Sequence, residues 1–225
     1  KSPADLKLLT DDELAILADE IRGEIISTTS KTGGHVASSL GAIEIILAVH
    51  SLIDSPKDRF VFDVGHQAYA HKIITGRREA FVGNRKKDGI SGFPKRSESE
   101  YDAFGAGHSS TSISAALGFA EAAKIQGTGD KTVALIGDGS LTGGLAFEGL
   151  NTASINPNEL LIILNDNDMS ISRNVGGLSN YLAKILSSRT YASMREGSKK
   201  VLSRLPGAWE IARRTEEYAK GMLVP

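Results

Sequence analysis

The sequence contains no cysteine, and this absence removes several classes of site from consideration. Without thiols the protein has no disulfide, no thiolate nucleophile and no zinc or iron–sulfur centre built on cysteine. A long apolar run is also missing, since no stretch approaches the roughly 20 residues that span a bilayer. The first residues are polar and charged, unlike a secretory signal. We therefore expect a cytoplasmic protein that does not bind membranes.

An excess of charge of one sign is missing too, because 26 Lys and Arg oppose 27 Asp and Glu for a formal net charge of −1. The short basic runs at 85–87 and 199–200 are typical of a solvated surface, so the sequence predicts no nucleic-acid partner. The glycine-rich signatures of mononucleotide- and dinucleotide-binding loops are absent. With 40% apolar and 24% charged residues, the composition is that of a globular protein.

The chain does contain the alternating helices and strands of an α/β domain. Two apolar strands, at 132–136 and 160–164, are separated by a helical crossover, which is typical of a parallel sheet buried on both faces. The other predicted features are a capping box at 10–13, helices at 37–52, 68–75, 109–125 and 141–154, a strand at 60–64 and a long loop at 83–108. We therefore expect an open, mainly parallel sheet flanked by helices over residues 1–172. A helical C-terminal segment, 173–225, is expected to continue the same domain.

Polar side chains follow both apolar strands at the points where the strands end. Gly-Asp-Gly at 137–139 comes after the first strand, and Asn-Asp-Asn at 165–167 comes after the second. Because the carboxyl ends of parallel strands share one edge of a sheet, Asp138 and Asn167 can face a common cation. Their oxygens are of the kind that Mg²⁺ prefers. Gly-Asp-Gly alone is also a common strand-end turn, and it is the pairing of the two motifs that favours a metal site.

The histidines fall into two groups. His50 and His71 lie in predicted helices and are interpreted as ordinary core or surface side chains. His35, His66 and His108 each follow a glycine in a predicted loop. His66 comes after a strand, where open sheets bind ligands, and His108 opens a helix whose first amides favour an anion. These three histidines are the candidate functional ones.

In combination, these segments resemble a known family. The pairing of Gly-Asp-Gly with Asn-Asp-Asn is similar to the thiamine-diphosphate motif of the transketolase superfamily. Four further segments narrow the resemblance to the 1-deoxy-D-xylulose-5-phosphate synthases, and they occur in the family's order. These segments are KTGGHVASSLG at 31–41, DVGHQAY at 63–69, GHSSTS at 107–112 and DMSIS at 168–172.

The resemblance implies a site for thiamine diphosphate and Mg²⁺. Asp138, Asn167 and the backbone carbonyl of Met169 are implied as the protein ligands of the metal. Gly139 and Ser140 are implied to hold the diphosphate, and Asn167 is counted with the cofactor-binding residues. The fold implied is the thiamine-diphosphate-binding fold.

The resemblance also gives roles to the three candidate histidines. His66 is implied to contact the cofactor and to take part in proton transfers at its reactive carbon. Gly107, His108 and Ser109 are implied to lie beside the cofactor, near its diphosphate and thiazolium. His35 is implied to face the substrate pocket as a hydrogen-bond donor.

The reaction that the resemblance implies is a transfer. Pyruvate is decarboxylated, and the two-carbon unit is condensed with D-glyceraldehyde 3-phosphate to give 1-deoxy-D-xylulose 5-phosphate for isoprenoid, thiamine and pyridoxal synthesis. In this family the enzyme is a homodimer, and a glutamate on a second domain activates the pyrimidine of the cofactor. Because no second α/β domain fits after residue 172, we expect this chain to hold half of a site and to be inactive alone.

Two alternatives stay open at this point. Another member of the superfamily, such as a transketolase, would use sugar phosphates without decarboxylation. A protein of a different class, a cofactor-binding or oligomerisation module without catalysis, is also compatible with the sequence. Release of CO₂ from pyruvate separates the first alternative from the synthase.

Overall fold

A computed structural model of the chain describes residues 2–155 and 159–166, and the fold is given for these residues. Helices separate the three strands within these ranges, with a π-helical turn at Ile73–Arg77 between α5 and α6. The elements are α1 Pro3–Leu6, α2 Asp11–Thr32, α3 Val36–Leu40, α4 Ile43–Leu52, β1 Arg59–Phe62, α5 Tyr69–Lys72, α6 Arg78–Phe81, α7 Ser112–Gln126, β2 Thr132–Gly137, α8 Asp138–Leu141, α9 Gly144–Ile155 and β3 Leu160–Asn165.

The three strands form one parallel sheet in the order β1-β2-β3. Phe62 of β1 pairs with Leu135 of β2, and Gly137 of β2 pairs with Asn165 of β3. The prediction of an open parallel sheet flanked by helices is therefore confirmed. The predicted helical segment at 173–225 lies outside the described residues.

Side chains on the two faces of the sheet enter different apolar clusters. Phe60 and Phe62 of β1 belong to a large cluster with Ile25 of α2 and Ile46 of α4. Val61, whose side chain alternates to the opposite face, belongs to a small cluster that α7 covers. Helices thus pack on both faces, as a buried parallel sheet requires. None of the helices in the described part of the chain is long and apolar enough to cross a membrane.

The predicted capping box sets the start of α2. The backbone N–H of Glu13 donates to Thr10 Oγ1 at 3.3 Å, and the backbone N–H of Thr10 donates to the Glu13 carboxylate at 2.8 Å. Two N–H groups that lack a partner in the helix are satisfied in this way. The helix ends at Gly33, whose φ of 73° is a conformation that glycine adopts without steric cost.

The predicted helix over 37–52 is wrong in one respect, because the chain forms two helices there. The break falls at Gly41 and Ala42, where ψ rises to −3° and −1° and helical geometry is lost. Glycine favours such a break because it has a low helix propensity. The break also leaves α3 free to meet the end of β1, where Ser39 Oγ donates to the carbonyl of His66 at 3.1 Å.

Other predicted helices are also divided or shortened. The helix predicted at 68–75 is only α5, because the chain widens into the π-helical turn and Gly76 then adopts a φ of 86°. The crossover predicted at 141–154 consists of α8 and α9, which separate near Gly143. There the backbone comes so close to Ser110 that a Cβ on Gly143 would lie 2.1 Å from Ser110 Oγ. The helix predicted from 109 begins instead at Ser112.

Candidate active site at the carboxyl ends of the strands

A tight turn follows β1 and brings His66 to the carboxyl edge of the sheet. Val64 and Gly65 have φ values of 55° and 84°, so the strand ends earlier than the predicted residue 64. A positive φ is unusual for a β-branched residue such as Val64. A Cβ on Gly65 would lie 2.4 Å from Pro94 Cδ, which shows how closely the long loop packs over the turn.

The carboxylate of Asp63 ties this turn to the start of α7. Asp63 is buried, and its Oδ1 accepts from the backbone N–H of Ser110 at 2.8 Å. Its Oδ2 accepts from the backbone N–H of Ser112 at 3.0 Å. A carboxylate at a helix N-terminus satisfies unpaired N–H groups and is favoured by the helix dipole. The contact fixes the loop that precedes α7, in which Ser110 has a φ of 68°.

The structure brings His35 and His66 together. Their ring centroids are 5.4 Å apart in an edge-to-face arrangement, and the ring of Phe93 lies 5.8 Å from that of His35. The backbone N–H of His35 donates to the hydroxyl of Tyr69 at 3.3 Å. A Cβ on Gly34 would lie 2.6 Å from that hydroxyl, so a glycine is needed for this approach. Two histidines from distant parts of the sequence thus form one polar pair.

The pKa values of both imidazoles are lowered, which favours the neutral state. Burial lowers the pKa of His35, and the charge of Arg85 lowers it further. Burial also lowers the pKa of His66, with a further decrease from His35 and an opposing increase from Asp63. The Nδ1 atoms of both rings are buried and have no hydrogen-bond partner within 2–155 and 159–166. A buried polar atom of this kind is expected to meet a ligand or ordered water.

Asp138 lies directly after β2, at the same edge of the sheet. It is half-buried and is the first residue of the short helix α8. Gly139 and Ser140 follow in the first turn and are also half-buried. Ser110 Oγ donates to the carbonyl of Ser140 at 2.7 Å, so the loop before α7 and the first turn of α8 are in direct contact.

The end of β3 completes this edge of the sheet. Asn165 is the partner of Gly137 in the β2–β3 pairing, and its side-chain amide donates to the carbonyl of Gly41 at 3.5 Å. The prediction that the two motifs end neighbouring strands is therefore confirmed up to Asn165. The predicted metal ligands Asn167 and Met169 lie outside the described residues. Within the described part of the chain, no group of three or more His, Asp or Glu side chains is placed to hold a metal ion.

Gly107, His108 and Ser109 lie at the exposed rim of this site. The carbonyl of His108 accepts from Thr111 Oγ1 at 3.2 Å, and the next residue, Ser110, is fixed by Asp63. His108 therefore lies in the loop before α7 rather than in the first turn of the helix. Ser110 is thus held in place, while residues 107–109 remain exposed to solvent.

Sequence reasoning missed a second, fully buried polar network. Its histidines are His50 and His71, which the sequence suggested were ordinary side chains. His50 Nε2 lies 2.9 Å from His71 Nδ1, and His71 Nε2 lies 3.0 Å from Asp102 Oδ1. Arg77 donates to both carboxylate oxygens of Asp102 at 2.7 and 2.8 Å. No motif marks these residues, because they come from three separate segments of the chain.

The protonation states in this network follow from burial and pairing. Burial lowers the pKa of His50 well below its ordinary value, and the neighbouring His71 adds to this effect. Burial also lowers the pKa of His71, although its hydrogen bond to Asp102 opposes the decrease. Burial acts to raise the pKa of Asp102, but the hydrogen bonds from His71 and Arg77 outweigh it and hold that pKa well below its ordinary value. These shifts favour neutral histidines and an ionised Asp102.

Comparison with known proteins decides the family. The sequence profile of 1-deoxy-D-xylulose-5-phosphate synthase matches residues 1–225. The chain belongs to the 1-deoxy-D-xylulose-5-phosphate synthase family. Proteins named 1-deoxy-D-xylulose-5-phosphate synthase from Pseudomonas putida strain GB-1 and Pseudomonas entomophila strain L48 are 68% and 67% identical over 224 residues. The alignments cover 100% of this chain and 36% of each of these two synthases.

A third relative of the same name, from Pseudomonas fluorescens strain SBW25, is 68% identical over 224 residues and is covered over 35% of its length. The chain thus spans about a third of the synthases that it matches. The predicted family is confirmed by these matches.

Proposed function

We propose that this chain supplies the diphosphate- and metal-binding half of the active site of a 1-deoxy-D-xylulose-5-phosphate synthase. The proposed reaction takes pyruvate and D-glyceraldehyde 3-phosphate to 1-deoxy-D-xylulose 5-phosphate and CO₂. This is a transferase reaction that serves isoprenoid, thiamine and pyridoxal synthesis. The family membership supports the proposal, and the relatives carry the name of this enzyme.

The observation that carries the proposal is the convergence of functional groups at one edge of the sheet. Asp138 follows β2, and the His35–His66 pair lies beside the turn that follows β1. The two imidazoles present buried Nδ1 atoms that have no partner among the described residues. Open parallel sheets bind their ligands at this edge, beyond the carboxyl ends of the strands. A polar organic ligand would satisfy these atoms.

The residues present fit thiamine diphosphate and Mg²⁺. The Asp138 carboxylate offers a hard oxygen ligand, and Asn167 and the carbonyl of Met169 are proposed as the further ligands. Gly139 and Ser140 are proposed to hold the diphosphate, since backbone amides in a first helical turn favour anions. Thiamine diphosphate, when bound, would supply the carbanion-stabilising chemistry of the reaction.

The chain's own residues would then orient the cofactor and the substrate and exchange protons with them. His66 is proposed to contact the cofactor and exchange protons near its reactive carbon, for which a neutral imidazole with an available Nδ1 is suited. His35 is proposed to hydrogen-bond the substrate. Gly107, His108 and Ser109 are proposed to line the cofactor's edge at the rim of the site. Asp63 does not reach solvent and acts by holding that rim in place.

The rest of the enzyme would supply the other half of the site. Because the alignment covers 36% of relatives such as the one from Pseudomonas putida strain GB-1, the pyrimidine side and its activating glutamate are proposed to come from further polypeptide. The working form is proposed to be a homodimer. We also propose that the 225-residue chain alone does not turn over substrate.

Calorimetric titration of the chain with thiamine diphosphate in the presence of Mg²⁺ tests the proposed binding of the cofactor and the metal. The variant Asp138→Asn should bind about tenfold or more weakly, because it loses a charged metal ligand. Asp54→Asn is the matched control, since Asp54 is exposed and pairs with Lys7 at the surface. Equal binding by both variants would show that Asp138 is not a ligand.

A turnover assay with pyruvate and D-glyceraldehyde 3-phosphate tests the reaction. Product should form only when the 225-residue chain is joined or mixed with the remaining length found in its relatives. Product from the chain alone would show that it holds the whole site. Turnover of two sugar phosphates without release of CO₂ would show a transketolase-type reaction instead.

A further inference from the structure

Four ionic side chains, three of them buried and one 15% exposed, lie with the two histidines of the second network where the long loop meets α5 and the π-helical turn. This ionic cluster consists of Lys72, Arg77, Glu98 and Asp102. Lys72 pairs with Glu98 and lies 4.0 Å from Asp102, although its side chain is 0% exposed. Arg77 pairs with both carboxylates. The cluster has two positive and two negative charges, so its charges are balanced.

The two carboxylates of the cluster hold the loop on either side of Phe93 and Pro94. Before this dipeptide, the backbone N–H of Ser91 donates to Glu98 Oε2 at 2.8 Å. After it, the backbone N–H of Lys95 donates to Asp102 Oδ2 at 2.7 Å. Each carboxylate therefore bonds the loop backbone and a buried cation at the same time. The loop is fixed at two points that bracket the dipeptide.

The cations of the cluster come from the segment that follows His66. Lys72 ends α5 and Arg77 ends the π-helical turn after it, so both belong to the chain that continues from the turn at the end of β1. His71, in the same helix, donates from Nε2 to Asp102 Oδ1 at 3.0 Å, because an ionised carboxylate can only accept. The cluster thus joins the long loop to the element that carries His66.

The bracketed dipeptide contacts the candidate active site. Phe93 packs against the ring of His35, with centroids 5.8 Å apart. Pro94 covers Gly65, next to His66, and its carbonyl accepts from the backbone N–H of Ala106 at 3.4 Å. Burial is the main reason that the pKa values of His35 and His66 are lowered. Phe93 is one of the side chains in contact with the His35 ring, and Pro94 packs on the residue next to His66.

Stability alone does not account for such a cluster. Apolar side chains of similar volume often stabilise a core as well as a buried ion pair does, because the desolvation of charges is costly. The ionic cluster adds a defined geometry, because the bidentate arginine and the charge-assisted hydrogen bonds of the carboxylates are directional.

We propose that Glu98 and Asp102 are positioning residues, which hold Phe93 and Pro94 over the His35–His66 pair and so keep water away from it. The importance of this contact for catalysis rests on the proposed function. The contact itself does not, and it can be measured on the chain without cofactor.

NMR spectroscopy of the 225-residue chain offers a direct test, because its five histidines give five imidazole Cε1–H signals. Single His→Gln variants assign these signals, and a pH titration gives each midpoint. In Glu98→Gln the loop loses one of its two fixed points, and the Ser91 amide should exchange with solvent more rapidly. The midpoints of His35 and His66 should then rise by about half a pH unit or more, because water reaches both rings.

The control variant is Glu44→Gln, which removes a carboxylate from an exposed ion pair with Arg22 in the same protein. It should leave the midpoints of His35 and His66 unchanged. Asp102→Asn should have the same effect as Glu98→Gln or a larger one. Glu98 is 15% exposed, so Glu98→Gln is the milder change. If Asp102→Asn does not fold, Glu98→Gln alone still tests the positioning role.

Two results would overturn the proposal. One is a folded Glu98→Gln variant in which the Ser91 amide exchanges no faster. The other is faster exchange with unchanged midpoints for His35 and His66, which would make the cluster purely structural. A wild-type chain that shows the expected midpoints, but makes no 1-deoxy-D-xylulose 5-phosphate when it is joined to the remaining length found in its relatives, would contradict the proposed function and leave the positioning role intact.

Discussion

Asp63 and Ser110 are 47 positions apart in the sequence, yet the Asp63 carboxylate accepts the backbone N–H of Ser110 at 2.8 Å. The same carboxylate accepts the N–H of Ser112. One buried side chain at the end of β1 therefore sets both the start of α7 and the loop that carries His108. The loop gains its position from a residue that faces away from solvent.

The substitution Asp63→Asn should destabilise the protein by about 1–3 kcal/mol, because an amide NH₂ would replace one acceptor opposite a buried N–H. The Ser110 and Ser112 amides should also exchange faster with solvent. Urea unfolding gives the free energy, and hydrogen-exchange NMR gives the local effect. The exposed Asp54→Asn serves as control. A free energy of unfolding that falls equally in both variants would count against the role given to Asp63.

Adjacent arginines provide a second test. Arg77 binds both oxygens of the buried Asp102, whereas Arg78 lies at the surface, 3.7 Å from Glu24. Lysine keeps the charge but cannot make the two parallel hydrogen bonds, so Arg77→Lys should lower the free energy of unfolding by about 2 kcal/mol or more. Arg78→Lys should change it by less than about 0.5 kcal/mol. Chemical denaturation of the two variants would measure this difference, and similar values would contradict the buried bidentate pair.

The sequence identified this edge of the sheet well. Its apolar strands predicted a parallel sheet, and parallel strands place Asp138 and Asn165 on one edge by geometry alone. Glycine before a histidine in a loop also pointed to His35 and His66, which the structure brings to 5.4 Å. The prediction of the sheet succeeded because strand direction and local turns are decided by short stretches of sequence. The roles given to His35 and His66 stay predictions.

The second network could not be predicted in this way. His50, His71 and Asp102 carry no shared spacing, and a histidine in a helix is usually an ordinary side chain. Their contact depends on how α4, α5 and the long loop pack, which is a long-range property. The break between α3 and α4 was missed for a similar reason, since Ser39 gains a partner only when the end of β1 is nearby.

The two buried histidines predict how stability depends on pH. The pKa values of His50 and His71 are lowered by burial from the ordinary 6.5, so the unfolded chain binds protons that the folded protein excludes as the pH falls below about 6.5. The free energy of unfolding should therefore decrease from pH 7.5 towards 5.5, with a slope of up to about 1.4 kcal/mol per pH unit for each group. Asp102, whose pKa is also lowered, adds a loss only in stronger acid, below its ordinary 3.8.

Urea unfolding at a series of pH values would measure this slope. His50→Gln removes one group that binds a proton more readily in the unfolded chain than in the folded protein. The free energy of unfolding should therefore change less between pH 7.5 and 5.5. His108→Gln is the control, because His108 is exposed and lies outside the network. A wild-type curve that is flat over this range would show that the pair is not held neutral.

The turn after β1 gives the last prediction, through two glycines that differ in their surroundings. Gly65 has a φ of 84°, and a Cβ there would lie 2.4 Å from Pro94 Cδ. Gly65→Ala should therefore lower the free energy of unfolding by about 1–3 kcal/mol and displace the loop from His66. Gly118 lies inside α7 with nothing within 4 Å of its Cβ position, so Gly118→Ala should raise stability by about 0.5–1 kcal/mol. Thermal and urea unfolding of the two variants compare them directly, and stabilisation by Gly65→Ala would show that the turn is not under Pro94.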